Sequence, residues 1–139
     1  MPLVVDASLV LSWCYPDERS DATEAALERA RRTAVSVPPH FHLELANGLW
    51  AGLRSKRLDE ELLDAFVDAL AELDIRAAAV PEMTQLGALA KRAAERGLTA
   101  YDEAYLELAH QTRCALGTLD AELARAARAL GVPVIGIEQ

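Results

Sequence analysis

Apolar residues along the chain fall into two alternating rhythms. Short continuous runs rich in Val, Ile and Leu occur at 2–6 (PLVVD), 34–38 (AVSVP), 74–80 (DIRAAAV), 114–118 (CALGT) and 132–137 (VPVIGI). Between them lie longer segments whose apolar positions recur every three or four residues. These are 20–32, the stretch from the Pro38–Pro39 pair to Lys56, 59–73, 81–97, 100–112 and 121–131, the last ending at Gly131 as a C-cap glycine would. The second places Phe41 or His42, Leu45, Ala46, Leu49, Trp50 and Leu53 at helical spacing, and the third does the same with Leu62, Phe66, Leu70 and Leu73. Continuous apolar runs suit strands buried on both faces, and the longer repeat suits helices with one oily stripe. Their alternation predicts an α/β fold: a three-layer α/β/α sandwich around a central parallel sheet of about five strands.

A chain of 139 residues with no low-complexity linker is expected to form one domain spanning 1–139. No uncharged apolar stretch approaches the roughly 18 residues that a membrane span needs. The start, MPLVVDASLVLSW, has no basic lead and is interrupted by Asp6, so it does not read as a secretory signal and a cytoplasmic location is expected. Cys14 and Cys114 have no CxxC spacing, which predicts reduced, packed thiols. Gly48 and Gly52 form GxxxG among polar neighbours and read as close helix packing. Fourteen basic against 22 acidic residues give a net charge of -8, the wrong sign for coating nucleic acid by charge alone. A phosphate substrate would have to be held locally, by cations bound to some of the acids or by Arg29, Arg31 and Arg32, or Arg54, Lys56 and Arg57. Those basic patches are equally consistent with solvated helix faces.

Ligands of open parallel sheets gather at the carboxyl ends of the strands, which makes the position of each acid informative. Asp6 directly follows the first strand and Asp120 follows the fourth through GTL, while Glu44 and Asp102 lie in the first turns of two helices. Each has an ordinary use on its own: Asp6 and Asp120 as helix N-caps, Asp102 in a capping box with Thr99, and Glu44 as an exposed helical glutamate. Helical counting puts Glu44 on a face with Asn47, Gly48 and Ala51, whose small side chains leave room for a cleft wall. Carboxylates crowded together repel one another unless a cation neutralises them, and a hard ion such as Mg2+ or Mn2+ prefers oxygen donors and works with phosphates. Zinc at HFHLE is disfavoured: His40 and His42 are two apart on a helix and diverge, and no third nitrogen or sulfur ligand is evident. Helix-start or solvent-facing positions are expected for them, and a surface position for His110.

The ordered set VVDAS, Glu44 within HLELANGLW, LTAYDEAYLELA and GTLDAELARAARALGVPVI resembles the PIN-domain ribonucleases, in particular VapC-type toxins of toxin–antitoxin pairs. The likeness spans nearly the whole chain. It implies that Asp6, Glu44, Asp102 and Asp120 form the catalytic, metal-holding set, and that Ser8 and Thr118 occupy hydroxyl positions that orient carboxylates or water. Backbone capping is an equally ordinary role for those two. Glu103 and Glu122 do not match the set. The resemblance further implies Mg2+- or Mn2+-dependent hydrolysis of RNA to 5′-phosphate and 3′-hydroxyl ends, with tRNA or ribosomal RNA as candidate targets. It also implies a cognate antitoxin obstructing the acidic pocket, and a homodimer. The alternative is a catalytically silent module of the same fold that binds RNA or an antitoxin. A haloacid-dehalogenase-like phosphatase would carry a second Asp where Ser8 stands, and a dinucleotide fold would need a glycine-rich loop after the first strand.

Overall fold

A computed structural model of the chain describes residues 2–137. Five short strands, β1 (Leu3–Val5), β2 (Val35–Val37), β3 (Ile75–Ala77), β4 (Ala115–Gly117) and β5 (Val134–Ile135), form one sheet in the order β3-β2-β1-β4-β5. Every pairing is parallel. The helices are α1 (Ala7–Ser12), α2 (Asp21–Arg32), α3 (Phe41–Arg54), α4 (Glu60–Ala71), α5 (Leu86–Arg96), α6 (Ala100–Thr112) and α7 (Ala121–Ala129). Parallel neighbours require crossovers, and right-handed ones place α1–α4 on one face and α5–α7 on the other, giving three layers.

The central position of β1 follows from its composition. Leu3, Val4 and Val5 are fully buried, as are Ala115 and Leu116 beside them on β4. The chain leaves β1 toward β2 on one side and reaches β4 on the other only after β3. The strand order therefore reverses at β1, and a crevice opens where β1 and β4 end. The Asp6 N–H extends the ladder there, donating to the Gly117 carbonyl at 2.9 Å.

Close packing beneath the crevice depends on glycines. A Cβ at Gly48 would collide with Leu11, and one at Gly52 with the Tyr15 hydroxyl, so α1 lies against α3 as GxxxG predicts. A Cβ at Gly117 would meet Leu9 at 2.5 Å, so α1 also needs a bare backbone on β4.

The pattern misleads in a few places. Helix α1 hides in the apolar stretch after Asp6, being only six residues long and too short to display a period. Helix α5 begins at Leu86 after a single 3-10 turn at Met83–Gln85, later than the pattern at 81–97 suggests. The last strand occupies only Val134–Ile135 of the run 132–137, because Gly136 turns away at φ 91°. Trp50 does not join the buried stripe: α3 buries Phe41, Leu45, Leu49 and Gly52, which leaves Trp50 about 100° round the helix and 55% exposed. On α4 only Phe66 is buried; Leu70 is half-buried and Leu62 is exposed. Cys14 and Cys114 are buried free thiols, as expected. Among the described residues no helix is long and apolar enough to cross a membrane.

Candidate active site

Asp6 stands at the end of β1 and is fixed from three directions. Its Oδ1 accepts from the Ser8 hydroxyl at 2.7 Å and the Leu9 N–H at 3.0 Å, and its Oδ2 accepts from the Thr118 hydroxyl. Both hydroxyls also accept in turn: Ser8 Oγ from the Leu119 N–H at 3.2 Å and Thr118 Oγ1 from the Asp120 N–H at 3.0 Å. They therefore stitch the β1–α1 junction to the β4–α7 junction, and the two expected uses, orienting a carboxylate and capping backbone, are met by the same atoms. Burial pushes the Asp6 carboxyl above its ordinary value. The Thr118 and Ser8 hydroxyls and the Leu9 N–H pull it down, while the charge of Asp120 pushes it up.

Asp120 caps α7, its carboxylate accepting from the Leu123 N–H at 3.0 Å. Asp102 enters from α6. Thr99 caps that helix by accepting from the Asp102 N–H at 3.1 Å, but among the described residues the Asp102 carboxylate makes no return bond to Thr99, so only half of the capping box forms. Burial, then the charges of Asp120, Asp6 and Glu44, push Asp102 up to about 6. Those three charges come from three other segments, so the fold brings all of them within electrostatic reach of Asp102 at this mouth. Glu44, in the first turn of α3, receives the Tyr105 hydroxyl on Oε1 at 2.7 Å, and His40 Nε2 stands 3.6 Å from the same oxygen.

The donors offered by this mouth are carboxylate oxygens, which suit a hard divalent cation and poorly suit a soft one. Among the described residues no three His, Cys, Asp or Glu side chains stand close enough to share one bare ion. A cation here would keep part of its water shell, the usual condition of Mg2+. His42 is exposed, His40 sits at the start of α3 with Nε2 3.2 Å from the Tyr101 carbonyl oxygen, and His110 is exposed, as expected for all three.

Sequence reasoning passed over Tyr105 and His40 as members of this cluster. The signal lay in spacing: Tyr105 follows Asp102 by three positions and His40 precedes Glu44 by four, so each shares a helical face with an acid. Glu103, beside the mouth in sequence, turns the other way. Its side chain is 0% exposed and meets Arg96 Nε at 3.1 Å, while Arg92 grips Glu107 with bonds of 2.8 Å. Of the basic patches, Arg31 and Arg32 bind Glu28, and Arg57 is held by Asp17 and Glu18.

The family model described as PIN domain matches residues 3–129. The chain is a PIN-domain protein. A protein named Ribonuclease VapC3 from Pyrobaculum aerophilum is 34% identical over 134 residues, covering 96% of this chain and 100% of the relative. Another of that name from Mycobacterium tuberculosis is 33% identical over 124 residues, covering 89% of this chain and 86% of the relative. Within the PIN domains the chain thus belongs with the VapC-type ribonucleases. Among solved structures, PAE2754 from Pyrobaculum aerophilum superposes with a TM-score of 0.71 at 22% identity, covering 96% of this chain and 89% of that one. VapBC2 from Rickettsia felis, solved bound to a DNA fragment from its promoter, gives a TM-score of 0.64 at 17% identity, covering 96% and 97%. At those identities the two structures support the fold.

Proposed function

We propose that this PIN-domain chain is the toxin of a toxin–antitoxin pair, a Mg2+- or Mn2+-dependent endoribonuclease whose catalytic set is Asp6, Glu44, Asp102 and Asp120. The observation that carries the reading is how the four acids are tied together: Thr118 links Asp6 to the Asp120 N–H, Tyr105, three residues beyond Asp102, links α6 to Glu44, and the charges of the other three acids push Asp102 up. The names of the VapC3 relatives support nuclease chemistry. The four carboxylates would hold a hydrated cation between them, in part through its own water, and the ion supplies Lewis acidity toward the scissile phosphate and its attacking water when bound. The chain's own part is positional. Ser8, Thr118 and the Leu9 N–H fix Asp6 by occupying both sites on Oδ1 and one on Oδ2, which leaves Oδ2 a further acceptor site for a cation or its water. The α7 N-terminus fixes Asp120, and the first turn of α6 presents Asp102. RNA is the proposed substrate, with folded species such as tRNA or ribosomal RNA as targets and 5′-phosphate and 3′-hydroxyl ends as products.

For the antitoxin partner, Leu43 and Trp50, seven apart on α3 and both exposed, offer apolar anchors on one helix face to an amphipathic helix. The toxin itself is proposed to be a homodimer in the cytoplasm. Purified, antitoxin-free protein is expected to cleave RNA with Mn2+ or Mg2+, to stop in EDTA, and to lose cleavage in Asp102→Asn while its circular dichroism is unchanged. Full cleavage in EDTA removes the metal mechanism, and full cleavage by the variant removes the site.

A further inference from the structure

We infer that Tyr105 is a positioning residue for this reaction, holding the Glu44 carboxylate where it meets Asp6, Asp102 and Asp120. The inference rests on the proposed site and concerns a side chain outside the acidic set. Tyr105 lies on α6 three residues beyond Asp102, so the helix that presents one acid also carries the tether for another. Its ring is 1% exposed, packed in the core, and its hydroxyl emerges 2.7 Å from Glu44 Oε1 on α3. A phenol on a packed ring has little freedom of its own, whereas the Glu44 side chain is 36% exposed and free to sample rotamers unless something holds it. The bond between them fixes the mobile partner to the immobile one.

His40 closes the other flank. Its ring stands edge-on to Tyr105 with centroids 5.2 Å apart, and its Nε2 lies 3.2 Å from the Tyr101 carbonyl oxygen. Both Tyr105 and His40 approach Oε1, which leaves Oε2 without a protein donor among the described residues.

A bond that merely ties α3 to α6 would affect folding without affecting ion binding through Glu44. The two roles separate in a double-mutant cycle read by calorimetric Mn2+ titration of wild type, Tyr105→Phe, Glu44→Gln and the double variant, with thermal melting as the control. Groups that orient a metal's ligands typically contribute about 10–100-fold to affinity, so Tyr105→Phe should weaken Mn2+ binding by about tenfold or more. In the Glu44→Gln background the same change should cost nothing further. Unchanged Mn2+ affinity in Tyr105→Phe, or an equal loss in both backgrounds, overturns the inference and leaves the acidic site standing. If wild type neither binds Mn2+ nor cleaves RNA, the site reading falls and the inference with it. Should Tyr105→Phe fold poorly, the Tyr15→Phe/Tyr101→Phe protein, in which Tyr105 is the one tyrosine left, supplies a second reading: Mn2+ should perturb the tyrosine near-ultraviolet spectrum, and Glu44→Gln should abolish that change. No perturbation by bound Mn2+ overturns the inference.

Discussion

The Asp6 carboxylate divides its oxygens between two tasks, Oδ1 capping α1 through the Leu9 N–H and Oδ2 reaching across to Thr118 on the β4–α7 connection. Capping therefore does not compete with the proposed site role, because one carboxylate can serve both. Asp102 is the opposite case, a half-exposed acid with no cap to make and three like charges for neighbours. Burial and those charges push its carboxyl up to about 6 from an ordinary value of 3.8. Below 3.8 both the folded and unfolded forms are protonated and no penalty exists; above about 6 both are ionised and the penalty is complete. Asp102→Asn should therefore raise the melting temperature of metal-free protein at pH 8 and leave it unchanged at pH 3. Solvent screening at a half-exposed group limits the gain to about 1 kcal/mol, or roughly 2–6 °C. Lost cleavage with raised stability is the signature of a residue retained for chemistry.

Between elements, two arginine–carboxylate contacts cross from α5 to α6, Arg92 with Glu107 and Arg96 with Glu103. Burial pushes Glu103 up to about 7, with the Glu107 carboxyl adding to the rise and Arg96 opposing it. One Glu103 oxygen is buried without a partner, which adds to the cost of ionising it. Because the folded value lies above the ordinary one, ionising Glu103 costs stability, and the cost grows as pH climbs from the ordinary value of 4.5 through about 7. Arg96→Ala removes the opposing charge. It should destabilise by about 3 kcal/mol at pH 8 and by about 1 kcal/mol at pH 5, where Glu103 holds its proton. Urea melts at the two pH values check this, and adding Glu103→Gln should flatten the difference.

For the whole molecule, an ion that binds the assembled mouth and not the unfolded chain stabilises the fold by mass action, by about 2.7 kcal/mol at a hundred times its dissociation constant. Saturating Mn2+ should raise the melting temperature at pH 8. The gain should shrink at pH 5, below the value of about 6 at which Asp102 takes up its proton, because proton and cation compete for the same oxygens. An equal gain at both pH values would place the ion away from Asp102.

Much of this architecture was legible in the order of residues along the chain. Val-rich runs announce strands covered on both faces, and the Gly48–Gly52 pair announces a close helix contact, because backbone chemistry and side-chain volume act locally. The positions of Asp6 and Asp120 just beyond strands, with Glu44 and Asp102 at helix starts, suffice to nominate a site. Tertiary structure alone decided which face of α3 is wet, leaving Trp50 in solvent with Arg54 over its ring at 5.8 Å. It also turned Asp102 toward the mouth and its neighbour Glu103 into the α5–α6 seam, and it brought Tyr105 to Glu44 across 61 positions of chain. A helix period says which residues share a face. Only packing against the rest of the molecule says what that face meets, since burial and charge pairing depend on partners distant in sequence.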